Sequence, residues 1–159
     1  MIFVVLGTQK FQFNRLLQKM DDLIEQGVIT EEVTAQYGYS DHTLKNIKGT
    51  DFMGGEDFQK CIADSDMLVC HSGVGTIMTA LRLGKPVVVV PRLAEYGEHV
   101  DDHQLQIAES FEESGYVICC RDTEKLGEYI EKARTHKFSK YVSHREDMIN
   151  IINSYLESI

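Results

Sequence analysis

The sequence predicts a doubly wound α/β domain built on a parallel, Rossmann-like sheet. Short, continuous apolar runs alternate with amphipathic segments along the whole chain. Such runs are typical of parallel strands that are buried on both faces, and the segments between them have the length of covering helices. The 159 residues contain only two prolines and no low-complexity stretch, so a single domain spanning residues 1–159 is expected.

The apolar runs predict six strands, and the segments between them predict helices. The first helix has apolar side chains at helical spacing and ends at Gly27. Two later helices end at Gly84, with Pro86 just beyond it, and at Gly115. The predicted strands are residues 2–6, 33–37, 47–52, 67–70, 87–90 and 116–119. The predicted helices are residues 13–26, 57–63, 76–83, 99–113, 123–134 and 145–157.

The charge of the chain argues against nucleic acid as a partner. The 25 acidic residues outnumber the 16 basic ones, which gives a formal net charge of -9. A nucleic-acid or anionic-lipid surface is approached through a basic patch. The locally basic segment 129–145 is interpreted as a solvated face, with lipid diphosphate or membrane headgroups as the alternative neighbours.

The cysteines and the first residues predict a cytoplasmic location. No pair of the four cysteines has C-x-x-C spacing, and Cys119 and Cys120 are adjacent in a predicted strand, so their side chains point to opposite faces. We interpret all four as reduced core residues. The first apolar run has no basic flank and no cleavage site, and no run approaches the length of a membrane span.

The segment "HSGVGT", residues 71–76, lies where a predicted strand leads into a helix. Such a loop directs unpaired backbone N–H groups and the positive end of the helix dipole at one point, which favours a phosphate group. Ser72 and Thr76 add hydroxyl groups. An ordinary strand-to-helix turn is the equally weighted alternative, because short glycine loops are common. The loop departs from the dinucleotide fingerprint and lacks the lysine of a P-loop, so NAD binding and ATP cleavage are disfavoured.

Residues 62–117 resemble the carboxyl-terminal, donor-binding domain of glycosyltransferase family 28, which implies a fold equivalent to the carboxyl-terminal half of a GT-B glycosyltransferase. The shared features, in order, are an A-D pair before a strand, the glycine loop, G-K-P before the next strand, a proline after it, and H-Q opening a helix that ends in glycine. A weaker likeness extends back to "VVLGTQKFQFNRLL". The nearest likeness is to the short catalytic subunits of two-component transferases, in bacterial exopolysaccharide or capsule clusters and in eukaryotic dolichol-linked N-acetylglucosamine transfer.

The resemblance implies a binding site for a UDP-sugar. The glycine loop would hold the donor diphosphate, and the turn after the first strand would lie beside the nucleotide. Phe52 and Met53 would receive uracil, mainly through their backbone. The H-Q pair would contact the sugar or phosphate. The residues implied are Gly7, Thr8, Gln9, Phe52, Met53, His71, Ser72, Gly73, Val74, Gly75, Thr76, Thr79, His103 and Gln104. For His71, Phe52, Met53, His103 and Gln104, ordinary structural roles remain as alternatives.

Two positions depart from the family pattern. Thr79 stands where the family commonly has an acidic residue that holds ribose hydroxyls, and Ile107 stands where it often has asparagine. These departures leave ribose anchoring and sugar identity open. UDP-galactose and UDP-glucose are therefore expected donors alongside UDP-N-acetylglucosamine.

The resemblance implies an inverting, metal-independent hexosyltransferase that lacks its acceptor half. That half, and the catalytic base, would come from a membrane-associated partner subunit that presents a polyprenyl-diphosphate-linked saccharide. The chain would then lie at the inner face of the membrane through that partner. The predicted helix 145–157 would either dock on the partner or pack on its own core. A non-catalytic nucleotide-sugar-binding subunit and an epimerase-like protein are the alternatives.

Two further motifs resemble metal sites. The "DSD" of residues 64–66 precedes a strand, so it is expected at the edge of the sheet opposite the ligand crevice. His99 and His103 are four residues apart in a predicted helix, a zinc-like spacing without a recognisable third ligand. Neither motif is expected to bind metal.

Overall fold

The computed structural model describes residues 1–141 and contains one six-stranded parallel sheet. The strands are β1 (Ile2–Val5), β2 (Val33–Gln36), β3 (Lys48–Thr50), β4 (Met67–Cys70), β5 (Val87–Val89) and β6 (Ile118–Cys119). The helices are α1 (Asn14–Glu25), α2 (Gly55–Asp64), α3 (Val74–Arg82), α4 (His103–Glu113) and α5 (Leu126–Thr135). Short 3-10 turns occupy Ala94–Tyr96 and Thr123–Lys125. The predicted helix 145–157 lies outside the described residues.

Both faces of the sheet are covered, as the apolar strands predict. Along β1, Ile2 and Val4 pack with α1 and α5 on one face, whereas Phe3 and Val5 pack with α2, α3 and α4 on the other. Cys119 and Cys120 likewise belong to opposite cores, which confirms the prediction made from their adjacency. Burial raises the pKa of both thiols to about 12, so they are protonated core side chains.

The strand order β3-β2-β1-β4-β5-β6 is that of the Rossmann fold. β1 lies between β2 and β4, with Val5 paired to Gln36 on one side and to Cys70 on the other. The chain leaves β1 toward α1 on one face and leaves β4 toward α3 on the opposite face. This reversal opens a crevice beyond the carboxyl ends of β1 and β4, where such sheets bind ligands.

Each of the five described helices begins one to four residues from its predicted start, and the largest difference is in α4. α4 begins at His103, four residues after the predicted start, because the Asp102 carboxylate accepts the Ala94 N–H at 2.9 Å and the Glu98 carboxylate accepts the Leu93 N–H at 3.0 Å. These bonds hold the preceding segment as a loop. α2 begins at Gly55, two residues earlier than predicted.

Among residues 1–141, none of the helices combines the length and the apolar character that crossing a bilayer requires.

Candidate functional site

A cleft of about 540 Å³ lies beyond the carboxyl ends of β1, β2 and β4. Nine of the residues that the sequence singles out line it together, although they come from three separate segments of the chain. They are Gly7, Thr8, Gln9, Met53, His71, Gly73, Gly75, Thr76 and Thr79. The first-strand turn and the glycine loop therefore face one space.

The His71 imidazole is held between the backbones of two glycines. A Cβ built on Gly7 would stand 2.5 Å from His71 Nε2, and a Cβ built on Gly73 would stand 2.5 Å from the same atom. Gly7 also has a φ of +77°, which a side chain rarely adopts. Both glycines are therefore required by the histidine ring, in addition to any ligand.

The other edge of the His71 ring meets Gln104. Gln104 is 3 % exposed, and its side-chain oxygen accepts the backbone N–H of Ser72 at 3.2 Å and of Arg92 at 3.1 Å. Its amide nitrogen lies 3.3 Å from His71 Nδ1. Burial, together with the positive charge of Arg92 and the neighbouring His99, lowers the pKa of His71 to about 3. The ring is therefore neutral at physiological pH.

Two helices begin at the cleft. α3 has Gly73 as its N-cap and α2 has Gly54, so no side chain at either cap position occupies the first backbone N–H groups. Gly75 and Gly55, in the first turns of these helices, both line the cleft, and a Cβ at either would meet open space. The helix ends can therefore present N–H groups and positive dipole ends to an anion.

Arg92, which follows β5, organises the loop after β1. Its guanidinium donates to the carbonyls of Phe11 at 2.9 Å, Gln12 at 3.2 Å and Glu98 at 3.1 Å, and also to that of Leu6. Arg92 is 1 % exposed, and burial lowers its pKa to about 10 against the opposing effect of Glu98. It remains charged at neutral pH and fixes the backbone that leads through Gly7.

A buried ion pair also involves Glu98, whose backbone carbonyl accepts from Arg92. Glu98 is fully buried and accepts two bonds from Arg15, at 3.0 Å from Nε and 2.9 Å from Nη2. The Arg15 guanidinium also lies 4.4 Å from the centre of the Tyr96 ring. The pair thereby joins α1 to the loop after β5.

The remaining residues that the sequence singles out do not line the cleft. Phe52 is 41 % exposed and packs edge-to-face on Tyr39, with ring centres 5.3 Å apart. Val74 packs against the core, and Ser72, a residue of the glycine loop, is buried. His103 lies at the start of α4, 3.4 Å from Asp101. The fifth is Gln104, whose contacts are internal.

Three residues that line the cleft were not among those that the sequence singled out: Gln36, Gly55 and Phe58. Gln36 is a polar residue at the carboxyl end of a strand, which is a signal that could have found it. Its side-chain oxygen accepts the Met53 N–H at 3.1 Å, so that backbone group, expected to face uracil, is already bonded. Gly55 was placed outside the helix by its later predicted start, and Phe58 was predicted within the helix without a role at the site.

The two metal-like motifs lie away from the cleft. Asp66 pairs with the terminal amino group of Met1 at the amino end of β4, as the position of "DSD" predicts. His99 precedes α4, so the prediction that it shares a helix face with His103 is wrong; both rings approach the Asp101 carboxylate instead. Within residues 1–141, no group of three or more His, Cys, Asp or Glu side chains could hold a metal ion.

The pattern of the whole chain decides the family. Residues 1–154 match the glycosyltransferase family 28 C-terminal domain. The chain belongs to this family. The family model extends well beyond the 62–117 segment in which the sequence motifs are concentrated, and it includes the first strand and its glycine turn.

This chain is similar in sequence to curated proteins of known name. It is 37% identical over 116 residues to the UDP-N-acetylglucosamine transferase subunit ALG13 of Saccharomyces cerevisiae, which is 71% of this chain and 54% of the relative. It is 26% identical over 143 residues to the Candida albicans ALG13 subunit, which is 87% of this chain and 47% of that relative. The chain thus spans about half the length of these relatives.

Solved structures share the fold. An NMR structure of ALG13 covers 94% of this chain and 93% of its own, with a TM-score of 0.59 and 24% identity. The crystal structure of Acinetobacter baumannii MurG gives a TM-score of 0.55 at 18% identity, over 97% of this chain and 49% of its own. The expected GT-B half, a doubly wound parallel sheet, is confirmed.

Proposed function

We propose that this chain is the donor-binding subunit of a UDP-sugar-dependent, inverting glycosyltransferase. The observation that carries the proposal is the cleft between the ends of β1 and β4, where the glycine turn, the His71 ring and the α3 N-terminus face one space. That space has the features of a diphosphate site: backbone N–H groups, a helix dipole and close backbone approach.

The proposed chemistry is displacement of a diphosphate. The acceptor hydroxyl oxygen forms a bond to the anomeric carbon, the bond from that carbon to the diphosphate oxygen breaks, and the bonding electron pair leaves with UDP. Negative charge grows on the diphosphate as that bond breaks. The α3 N-terminus would stabilise this charge by electrostatic preorganisation, with no metal ion among the groups that we propose. Transfer that survives excess EDTA would support this; transfer restored only by added divalent metal would contradict it.

We propose that the donor nucleoside is uridine and that N-acetylglucosamine is the first sugar to test. The yeast relatives are named UDP-N-acetylglucosamine transferase subunits, which favours that donor. Thr79 and Ile107, which depart from the family pattern, keep UDP-galactose and UDP-glucose as candidates. Gln9 lines the cleft, and its buried Oε1 has no hydrogen-bond partner among residues 1–141, so a ligand hydroxyl would be a suitable donor for it.

We propose that a membrane-associated partner supplies the acceptor site and the catalytic base, so that the chain works at the cytoplasmic face of a membrane. The cleft would hold the donor, and transfer also needs a base and an acceptor held within reacting distance. The proposed acceptor is a saccharide linked to a polyprenyl diphosphate. A role in exopolysaccharide or capsule synthesis remains a prediction. Full-rate transfer to a lipid-linked acceptor by the purified chain alone would contradict the two-subunit proposal.

Calorimetric titration of the full chain with UDP and with the three UDP-sugars tests donor binding. We expect UDP to bind, and we expect Thr76→Val, which removes a hydroxyl at the cleft with little change in shape, to weaken binding several-fold. Thr135→Val, at the exposed end of α5, is the matched control and should bind as the wild type does. Failure of every nucleotide to bind, with and without the partner, would overturn the proposal.

A further inference from the structure

We infer that Gln104 is a positioning residue that holds His71 in the tautomer with its proton on Nε2, so that this N–H serves the donor diphosphate. The inference rests on the proposed function for the identity of the ligand. It assigns Gln104 a role different from the sugar contact that the sequence resemblance implies, because the side chain is buried behind the glycine loop rather than lining the cleft.

The orientation of the Gln104 amide is fixed by the backbone. Two N–H groups, of Ser72 and Arg92, point at the same side-chain atom at 3.2 and 3.1 Å. Only an oxygen can accept from two donors, so this atom is Oε1 and the other is the NH₂ nitrogen. The usual ambiguity of an amide side chain is removed by this pair of contacts.

The amide orientation then fixes the protonation of the ring. The Gln104 NH₂ group has only protons to offer, and it lies 3.3 Å from His71 Nδ1. Nδ1 must accept, so it carries no proton. Because burial keeps the ring neutral, with a pKa of about 3, the single ring proton resides on Nε2.

Nε2 is the ring atom held between the two cleft glycines. The Cβ positions of Gly7 and Gly73 are both 2.5 Å from it, and both glycines line the cleft together with His71. Within residues 1–141 the hydrogen bond of this ring is made at Nδ1 alone. The geometry thus reserves a neutral N–H donor for the cleft, and this donor keeps its proton throughout the physiological pH range.

The substitution Gln104→Glu isolates this role. The carboxylate is of similar size and still accepts the two backbone N–H groups, but it has no proton to donate to Nδ1. His71 must then protonate Nδ1. Above the new ring pKa, Nε2 becomes an acceptor and repels the diphosphate, whereas below it the imidazolium keeps both protons. The titratable and charged groups near the ring are then the introduced carboxylate, Arg92 and His99.

Nitrogen-15 NMR of the full chain reads the tautomer without any ligand. We expect His71 of the wild type to show an unprotonated Nδ1 and a protonated Nε2, and we expect Gln104→Glu to show a protonated Nδ1. A wild-type ring protonated on Nδ1 overturns the inference, as does an unchanged pattern in the variant. The wild-type spectrum decides the matter even if the variant fails to fold.

Calorimetry with a UDP-sugar at several pH values measures the effect of the tautomer on binding affinity. The diphosphate of a UDP-sugar does not change its own protonation near neutral pH. We expect wild-type affinity to be flat from about pH 6 to about pH 8, and Gln104→Glu to bind about tenfold more weakly at the upper end and to recover as the pH falls. Gln106→Glu adds the same charge at an exposed position of α4 and should match the wild type. Equal weakening of Gln104→Glu at every pH would indicate a merely structural role and contradict the inference.

The two measurements separate the inference from the proposed function. If the wild-type chain shows the expected tautomer and binds no UDP-sugar, with or without the partner, the proposed function fails and the positioning of His71 by Gln104 stands. If UDP-sugar binds and the tautomer is the other one, the proposed function stands and the inference fails.

Discussion

The guanidinium of Arg92 donates to the main-chain carbonyl of Phe11 at 2.9 Å, so the segment that follows β5 holds the loop that follows β1. These two segments are far apart in the sequence. The shape of the cleft therefore depends on a side chain that neither touches it nor belongs to a recognised motif.

Arg92→Met should lower the free energy of unfolding by about 3 kcal/mol, because buried carbonyls that accept from a charged donor lose their partner. Urea denaturation measures the change. Arg82→Met, which removes an arginine from the exposed end of α3, is the matched control and should stay within about 0.5 kcal/mol of the wild type. A loss of similar size in both variants would contradict the proposed role of Arg92.

Glu98→Gln should also destabilise the fold, by about 2 to 3 kcal/mol, because it leaves the Arg15 charge without its fully buried partner. Adding Arg15→Met should recover part of the loss, since the uncompensated charge is then removed. A double-mutant cycle measured by urea denaturation gives the coupling. Strictly additive losses would show that the pair contributes no interaction of its own.

The sequence predicted the centre of the sheet well because β1, β4 and β5 are continuous apolar runs, and burial on both faces is what such runs require. The start of α4 was misplaced because Glu98 and Asp102 hold the preceding loop through bonds to Leu93 and Ala94. No local pattern reveals that a carboxylate will bind a backbone group several residues before it.

Part of the site was also predictable. The glycine turn and the glycine loop meet because both follow strands whose carboxyl ends adjoin. What the sequence could not reveal is that Gly7 and Gly73 must be glycine for the His71 ring as well, or that Gln104 acts behind the loop. These relationships cross from β1 to β4 and α4, and they depend on side-chain packing that spacing does not encode.

Gly75 and Gly73 should respond differently to substitution. Gly75→Leu should keep or slightly raise stability, since its Cβ meets open space and leucine favours a helix by about 0.5–1 kcal/mol over glycine. It should nevertheless abolish UDP binding by filling the cleft. Gly73→Ala should destabilise the fold, because its Cβ would stand 2.5 Å from His71 Nε2.

Thermal unfolding and calorimetry on the same samples separate these effects. In a reconstituted pair with the partner, loss of transfer in Gly75→Leu supports the donor role. Unchanged transfer in a folded Gly75→Leu pair would favour the alternative of a non-catalytic subunit.

The free energy of unfolding should decrease as the pH is lowered, because of His71. Its pKa is about 3 in the folded chain against 6.5 for an unburied histidine, so the unfolded state binds the extra proton below about pH 6.5. The contribution is absent above that pH and reaches a loss of about 2 kcal/mol at about pH 5.

The matched variant for this effect is His71→Asn, whose side-chain oxygen can still accept from Gln104. It should be less stable than the wild type at about pH 7, and the gap should narrow by about 2 kcal/mol at about pH 5. Urea denaturation at both pH values measures the gap. A constant gap would show that His71 does not titrate in this way.

Thr79→Glu should strengthen recognition of the ribose. Thr79 lines the cleft, and its hydroxyl donates to the Gly75 carbonyl at 2.9 Å, so it is turned toward its own helix. A glutamate there restores the acidic residue that the family resemblance places at the ribose hydroxyls. We expect the preference for UDP over a UDP analogue lacking both ribose hydroxyls to rise about fivefold or more, the scale of one charged hydrogen bond. Thr79→Gln, of equal length and without charge, should raise it less, and calorimetry with both nucleotides measures the ratio. An unchanged preference in Thr79→Glu would place the ribose elsewhere in the cleft.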